Sequence, residues 1–131
     1  MPIKTYKKYK ILLIEDEKDL AEIFAMKLEL DGFRVLVEAS GAAGIKTAKK
    51  EKPDLILLDL VIPDVDGFMV LKELKKDPQM KNCLIYAWSN ITYKKKLQAA
   101  ARLGADGCIL KSDYTPTMLS AKVKEILKVA N

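Results

Sequence analysis

The amino-acid sequence predicts an α/β fold: a (βα)5 doubly wound parallel sheet, covered by helices on both faces as a three-layer sandwich. Two observations carry that reading. Short apolar runs alternate with amphipathic stretches of helical period from end to end, and no long linker or internal repeat interrupts them. The runs are also hydrophobic continuously rather than at every second residue, as strands covered on both faces are. The 131 residues suit one domain, and 50% of them are hydrophobic, enough for one substantial core.

The first strand is Lys10-Ile-Leu-Leu-Ile14, ending in Glu15-Asp16. Leu20, Ile23, Phe24 and Leu28 then recur at helical spacing, and Asp31-Gly32 supplies the stop. Arg34 to Glu38 is a short second strand; Ser40 caps a helix to about Lys50, with Ala43 and Ile45 to Ala48 inward. Pro53 opens the third strand region, where Leu55 to Leu58 is too short for a helix and stops at Asp59. Pro63 and Gly67 force a loop, and Asp66 caps a helix from Phe68 to Lys76 that Asp77-Pro78 ends. Asn82 to Trp88 is the fourth strand, followed by Ser89-Asn90; Thr92 begins a Lys-rich helix with Leu97, Ala100 and Ala101 inward, closed by Gly104. Gly107 to Leu110 is the fifth strand, ending in Lys111, and Thr115-Pro116 opens a last helix through Leu119, Val123, Ile126 and Leu127. Right-handed crossovers and this size make the flavodoxin-like strand order 2-1-3-4-5 the natural arrangement.

Composition narrows the function classes. Net charge is +5, and Lys4, Lys7, Lys8 and Lys10 supply four of those positives in a segment without an acid, leaving the rest of the chain nearly balanced. Lysines interleaved with Tyr6 and Tyr9 have the residue types that touch phosphates and stack on bases. Such a run is more often a solvated tail, so residues 1–9 read as a basic N-terminal extension, and nucleic acid is not the partner expected of this domain. Lys94-Lys95-Lys96 reads as an exposed helix face. No apolar run approaches a membrane span of about 18 residues, and the N-terminus lacks the apolar stretch of a secretory signal, so the expected location is cytoplasmic. Cys83 and Cys108 are too few for a disulfide scaffold and too far apart for a zinc motif; both fall in predicted strands, as small buried hydrophobes. Histidine is absent, which excludes a His-ligated metal, a Ser-His-Asp triad and a phosphohistidine donor.

The residues that end the strands form a constellation. Strand 1 gives Glu15 and Asp16, strand 3 gives Asp59, strand 4 gives Ser89 and strand 5 gives Lys111. In a parallel sheet these ends share one edge, where such folds place their sites. Carboxylates that close repel one another unless a hard cation sits among them, and oxygen ligands without His or Cys suit Mg²⁺ better than zinc. A lysine and a hydroxyl opposite them call for an anion, of which a phosphoryl group is the obvious one. Singly, each residue has a blander explanation: Glu15-Asp16 as a helix N-cap pair, Ser89 as a turn residue, Lys111 as a structural ion-pair partner.

Together, Glu15-Asp16, Asp59, Ser89 and Lys111 resemble the receiver domain of two-component response regulators, over nearly the whole chain from about Lys10 to Leu127. Asp59-Leu-Val-Ile-Pro63-Asp-Val-Asp66-Gly67 is similar to that family's phosphorylation loop, and Gly104-Ala-Asp106-Gly-Cys-Ile-Leu-Lys111 to its last strand. The resemblance implies that Asp59 accepts a phosphoryl group from a phosphohistidine on a sensor histidine kinase or phosphotransfer protein. It implies that Asp16 ligates Mg²⁺ directly, Glu15 through water or partial ligation, and Val61 through its backbone carbonyl, with Ser89 and Lys111 each meeting a phosphoryl oxygen. By the same resemblance residues 10–131 are a phosphoacceptor domain, a monomer or weak dimer with an unknown downstream protein target, and no enzyme beyond slow self-dephosphorylation. Three positions depart from the family: Cys108 where an aromatic usually stands in strand 5, Asn90 where a small residue follows Ser/Thr, and Ser112 where proline follows the lysine. A stand-alone receiver is the leading reading. The alternative is the receiver portion of a larger regulator with a DNA-binding or enzymatic output domain beyond residue 131. A Mg²⁺-dependent phosphatase on this fold lacks a second base in the sequence.

Overall fold

The computed structural model describes residues 8–129; the first seven residues of the basic extension lie outside the described residues. Five strands and five helices alternate: β1 (Lys10–Ile14), α1 (Lys18–Leu30), β2 (Arg34–Glu38), α2 (Gly41–Glu51), β3 (Leu55–Leu58), α3 (Gly67–Lys75), β4 (Leu84–Ser89), α4 (Lys94–Arg102), β5 (Gly107–Leu110) and α5 (Pro116–Leu127). All strand pairs are parallel and the sheet order is β2-β1-β3-β4-β5, the flavodoxin-like order expected from the sequence.

The continuous hydrophobicity of the strands has its cause in two cores. On one face Leu12, Ile14, Ile56 and Leu58 pack with Val70, Leu71 and Leu74 of α3 and Ala100 of α4. On the other, Ile11, Leu13, Leu55, Leu57, Trp88 and Ile109 pack with Phe24 and Leu28 of α1 and Leu119 and Val123 of α5. In β1 and β3 successive residues feed opposite cores, so none past Lys10 can be polar until the strand ends. Among the described residues no helix is long and apolar enough to cross a membrane.

Several local expectations are corrected. Ile23, on the apolar stripe of α1, is 55% exposed and faces outward beside Met26. The fourth strand starts at Leu84 and includes Ser89, so Cys83 lies before it; Cys83 is buried all the same, and burial pushes its thiol up to about 12. Cys108 is exposed, not buried. It lines an open groove of 340 Å³ with Ala87, Ile91, Leu97 and Leu110, because α4 does not close over the edge strand β5. The helix after β4 begins at Lys94 rather than Thr92, with Tyr93 as a cap that makes no side-chain bond, and Ala101 points to solvent.

Candidate functional site

The site follows from strand register. Ile14 lies opposite Leu58, and Leu58 opposite Ala87. One residue past that row stand Glu15, Asp59 and Trp88, and Lys111 follows the last residue of β5. Backbone bonds still hold the row at this level: Glu15 N–H donates to Glu38 O at 2.9 Å and Asp59 N–H to Ile14 O at 3.0 Å. Both carboxylates are therefore fixed on rigid elements while their side chains emerge at the sheet edge.

Glu15, Asp16 and Asp59 each offer a carboxylate oxygen within 4.8 Å of the others. Glu15 and Asp59 are buried and Asp16 is exposed at the rim. The Lys111 ammonium bridges the two buried acids, donating to Asp59 Oδ2 at 2.8 Å and to Glu15 Oε1. Asp59 Oδ1 accepts the Val61 N–H at 2.9 Å, which sets the first residues of the β3–α3 loop over the carboxylate. Ser89 lines the same 360 Å³ cleft with Asp59, Val61, Asn90, Ile91 and Lys111. Its Oγ accepts the Ile91 N–H at 3.2 Å, so here it serves the turn after β4. The helix after Glu15-Asp16 is capped by Glu17 without a side-chain bond, and Glu15 Oε2 accepts the Glu17 N–H at 3.0 Å; the acid pair is not an N-cap pair.

Burial raises the Asp59 carboxyl above the ordinary carboxylate value, against the lowering pull of Lys111 and of the Val61 N–H. Burial also pushes Glu15 upward, but the bonds from Lys111, the Glu17 N–H and the Trp88 indole outweigh it and hold Glu15 below its ordinary value. For Lys111, burial favours the neutral amine, and the bonds to Asp59 and Glu15 overcome that and raise it. Three carboxylates and one ammonium leave a formal charge of −3 + 1 = −2 when all are ionised. Oxygen donors only, converging with a deficit of two positive charges, fit a hard divalent cation.

Sequence reasoning missed Trp88, Asp64 and the contact between Asn90 and Ser112. Trp88, read only as strand core, donates its indole N–H to Glu15 Oε1 at 3.2 Å. Asn90 and Ser112 meet: Asn90 Oδ1 accepts the Ser112 N–H at 2.9 Å, a donor that proline would lack. Asp64 accepts the N–H groups of Gly41 and Ala42 at 2.8 and 3.1 Å, tying the phosphorylation-like loop to the start of α2. The register signal for Trp88 was in the sequence, since a buried indole at a strand end needs an acceptor.

Comparison with known proteins identifies the family. The family model described as the response regulator receiver domain matches residues 11–124. The alkaline phosphatase synthesis transcriptional regulatory protein PhoP of Bacillus subtilis is 34% identical over 119 residues, covering 91% of this chain and 48% of that protein. A probable transcriptional regulator, ycf27, of Porphyridium aerugineum is 32% identical over 121 residues, covering 92% and 49%. The chain thus spans about half the length of these curated relatives. Among solved structures, a putative response regulator from Chloroflexus aurantiacus superposes with TM-score 0.83 at 26% identity, covering 93% of this chain and 99% of that one. The N-terminal receiver domain of Klebsiella pneumoniae RstA gives 0.81 at 28% identity, covering 91% and 98%. With strand order and family match in agreement, the chain belongs to the response regulator receiver domain family.

Proposed function

We propose that this chain is a phosphoacceptor in two-component signalling, with Asp59 taking a phosphoryl group from a phosphohistidine on a sensor histidine kinase or phosphotransfer protein. The observation that carries the reading is the Lys111 ammonium shared between Asp59 and Glu15, with Asp16 completing a cluster short of two positive charges. An Asp59 oxygen attacks phosphorus while the bond to the partner's imidazole nitrogen breaks, and its electron pair leaves with the imidazole. Lys111 opposes the effect of burial on Asp59 and then pairs with a phosphoryl oxygen. Ser89 already spends an Oγ lone pair on Ile91 N–H; its hydroxyl proton is available to a second phosphoryl oxygen. Glu15, Asp16, Asp59 and the Val61 carbonyl are the proposed holders of Mg²⁺, which when bound offsets charge on the transferring group. The chain's own contribution is positioning, with at most slow self-dephosphorylation.

Within this reading the domain begins at Lys10, acts in the cytoplasm as a monomer or weak dimer, and signals by a shift of the loop after Ser89. A second reading, the receiver portion of a larger regulator with a DNA-binding output, is favoured by relatives named as transcriptional regulators of about twice this length. The length of the natural reading frame beyond residue 131 decides between them. The phosphoacceptor role is tested by intact mass after incubation with acetyl phosphate. A gain of one phosphoryl group with Mg²⁺, lost with chelator and in Asp16→Ala, is expected; no gain under any condition, or an equal gain in chelator, overturns it.

A further inference from the structure

We propose that Trp88 is a positioning residue for the Glu15 carboxylate, its indole N–H fixing which oxygen of Glu15 faces the cation site. The inference rests on the reading of Glu15, Asp16 and Asp59 as Mg²⁺ ligands.

Register brings the two residues together. Trp88 stands beyond Ala87 as Glu15 stands beyond Ile14, and both turn toward the face covered by α1 and α5. Trp88 is fully buried and Glu15 is 1% exposed, so the 3.2 Å bond from indole Nε1–H to Glu15 Oε1 has no water to compete with it. The ring itself is immobilised. Phe24 meets it edge-on at 5.0 Å between centroids and 71° between planes, and Leu119 and Val123 belong to the same core. A donor held this way cannot follow a carboxylate that rotates; the carboxylate must stay with the donor.

The lone pairs of Glu15 show what the bond does. A carboxylate oxygen accepts about two hydrogen bonds. Among the described residues, Oε1 takes Trp88 and Lys111, which fills it, and Oε2 takes only the Glu17 N–H. The capacity left for a cation is therefore on Oε2. Lys111 is shared with Asp59 and is the group that a phosphoryl oxygen would draw away. Once it leaves, the indole N–H is the remaining donor on Oε1, and it keeps the carboxylate from turning. Hydrogen-bonding partners of metal ligands have measurable effects on affinity, typically about 10- to 100-fold when removed.

The test is Mg²⁺ binding by isothermal titration calorimetry on the full chain, comparing wild type with Trp88→Phe and with a chain carrying benzothienylalanine at position 88. That residue keeps the bicyclic shape and lacks the N–H, so it remains informative where Trp88→Phe fails to fold. Phe24→Leu serves as the packing control, loosening the ring's surroundings without touching the donor. The chain has one tryptophan, so its indole N–H gives a single resonance that reports the bond directly. The expected result is a dissociation constant raised about 10-fold or more in both chains lacking the N–H, little change in Phe24→Leu, and an indole resonance that moves along the wild-type Mg²⁺ isotherm. Wild-type affinity in the benzothienylalanine chain, an indole resonance indifferent to Mg²⁺, or equal weakening by Phe24→Leu overturns the role of Trp88 while leaving the metal site standing. A wild-type chain that binds no Mg²⁺ overturns the metal reading and the role of Trp88 with it.

Discussion

Asp59 is 4% exposed, with Lys111 Nζ 2.8 Å from Oδ2 and the Val61 nitrogen 2.9 Å from Oδ1. Its burial and its nearness to Glu15 both oppose ionisation, against the pull of Lys111 and of the Val61 N–H. Asp59→Asn removes that carboxylate while Lys111 keeps Glu15. In chelator the variant is expected to be more stable by about 1 kcal/mol, read as a higher urea midpoint; an equal or lower midpoint shows that the Lys111–Asp59 pair outweighs the repulsion. The residues flanking Asp59 make a second prediction. Hydrolysis of an acyl phosphate needs a water in line with the breaking bond, oriented by a polar neighbour. Val61, 66% exposed, and half-buried Ile91 line the cleft without a polar side-chain atom, and the polar Asn90 spends its Oδ1 on Ser112. The phosphorylated form should therefore be long-lived, and Val61→Asn/Ile91→Glu should lose phosphate at least about tenfold faster with Mg²⁺ and no partner. Equal decay shows that these side chains do not gate the water.

At the scale of elements, the loop between β3 and α3 is held at both ends. Gly67 admits no side chain, because a Cβ there would fall against the Leu60 backbone. Asp66 accepts the Phe68 N–H at 2.9 Å to start α3, and Asp64 reaches across to the first N–H groups of α2. The Asp64 bonds satisfy donors that a helix start leaves open, and Ser40 supplies another acceptor to Ala43 N–H. Asp64→Ala is expected to lower the urea midpoint, and Asp64→Asn to recover only part of the loss, since its amide nitrogen cannot accept the second N–H; no loss shows that water replaces the carboxylate. Helix boundaries show what was legible. Ser40, Asp66 and Thr115 all cap as their residue type indicates, because the capping bond is local. Ala101 and Ile23 were misplaced because alanine on a Lys-rich helix carries little directional signal, and because an apolar stripe does not tell which of its members reaches the core.

Over the whole molecule, α1 and α5 are joined by a polar link through Asp31, whose Oδ2 accepts the buried Ser120 hydroxyl, with Lys27 Nζ at 3.2 Å and Lys124 Nζ at 3.9 Å. The Ser120 bond, first among the causes, holds the Asp31 carboxyl below its ordinary 3.8. A carboxylate depressed in the folded state adds stability above its unfolded value, and that stability disappears as pH falls through the folded value. Ser120→Ala should thus cost about 1–2 kcal/mol near neutral pH, with the gap to wild type closing as pH falls below 3.8 in urea melts; a gap independent of pH assigns the loss to packing alone. Such links between distant helices could not be read from sequence, since neither Asp31 nor Ser120 belongs to a motif. Sheet order and the five polar residues at one edge were legible, because continuous apolar runs in the central strands force burial on both faces and a charge must wait for the strand's end. The exposed Cys108 was not, as its exposure depends on how far α4 covers an edge strand. In the proposed function Asp59 is the acceptor. That role is tested most directly by treating the chain with acetyl phosphate and Mg²⁺, reducing the product with borohydride, which converts an aspartyl phosphate to homoserine, and mapping the peptides by mass. Homoserine is expected at position 59 and at no other aspartate, with none in Asp59→Asn; conversion at another carboxylate, or unchanged labelling of Asp59→Asn, overturns that role.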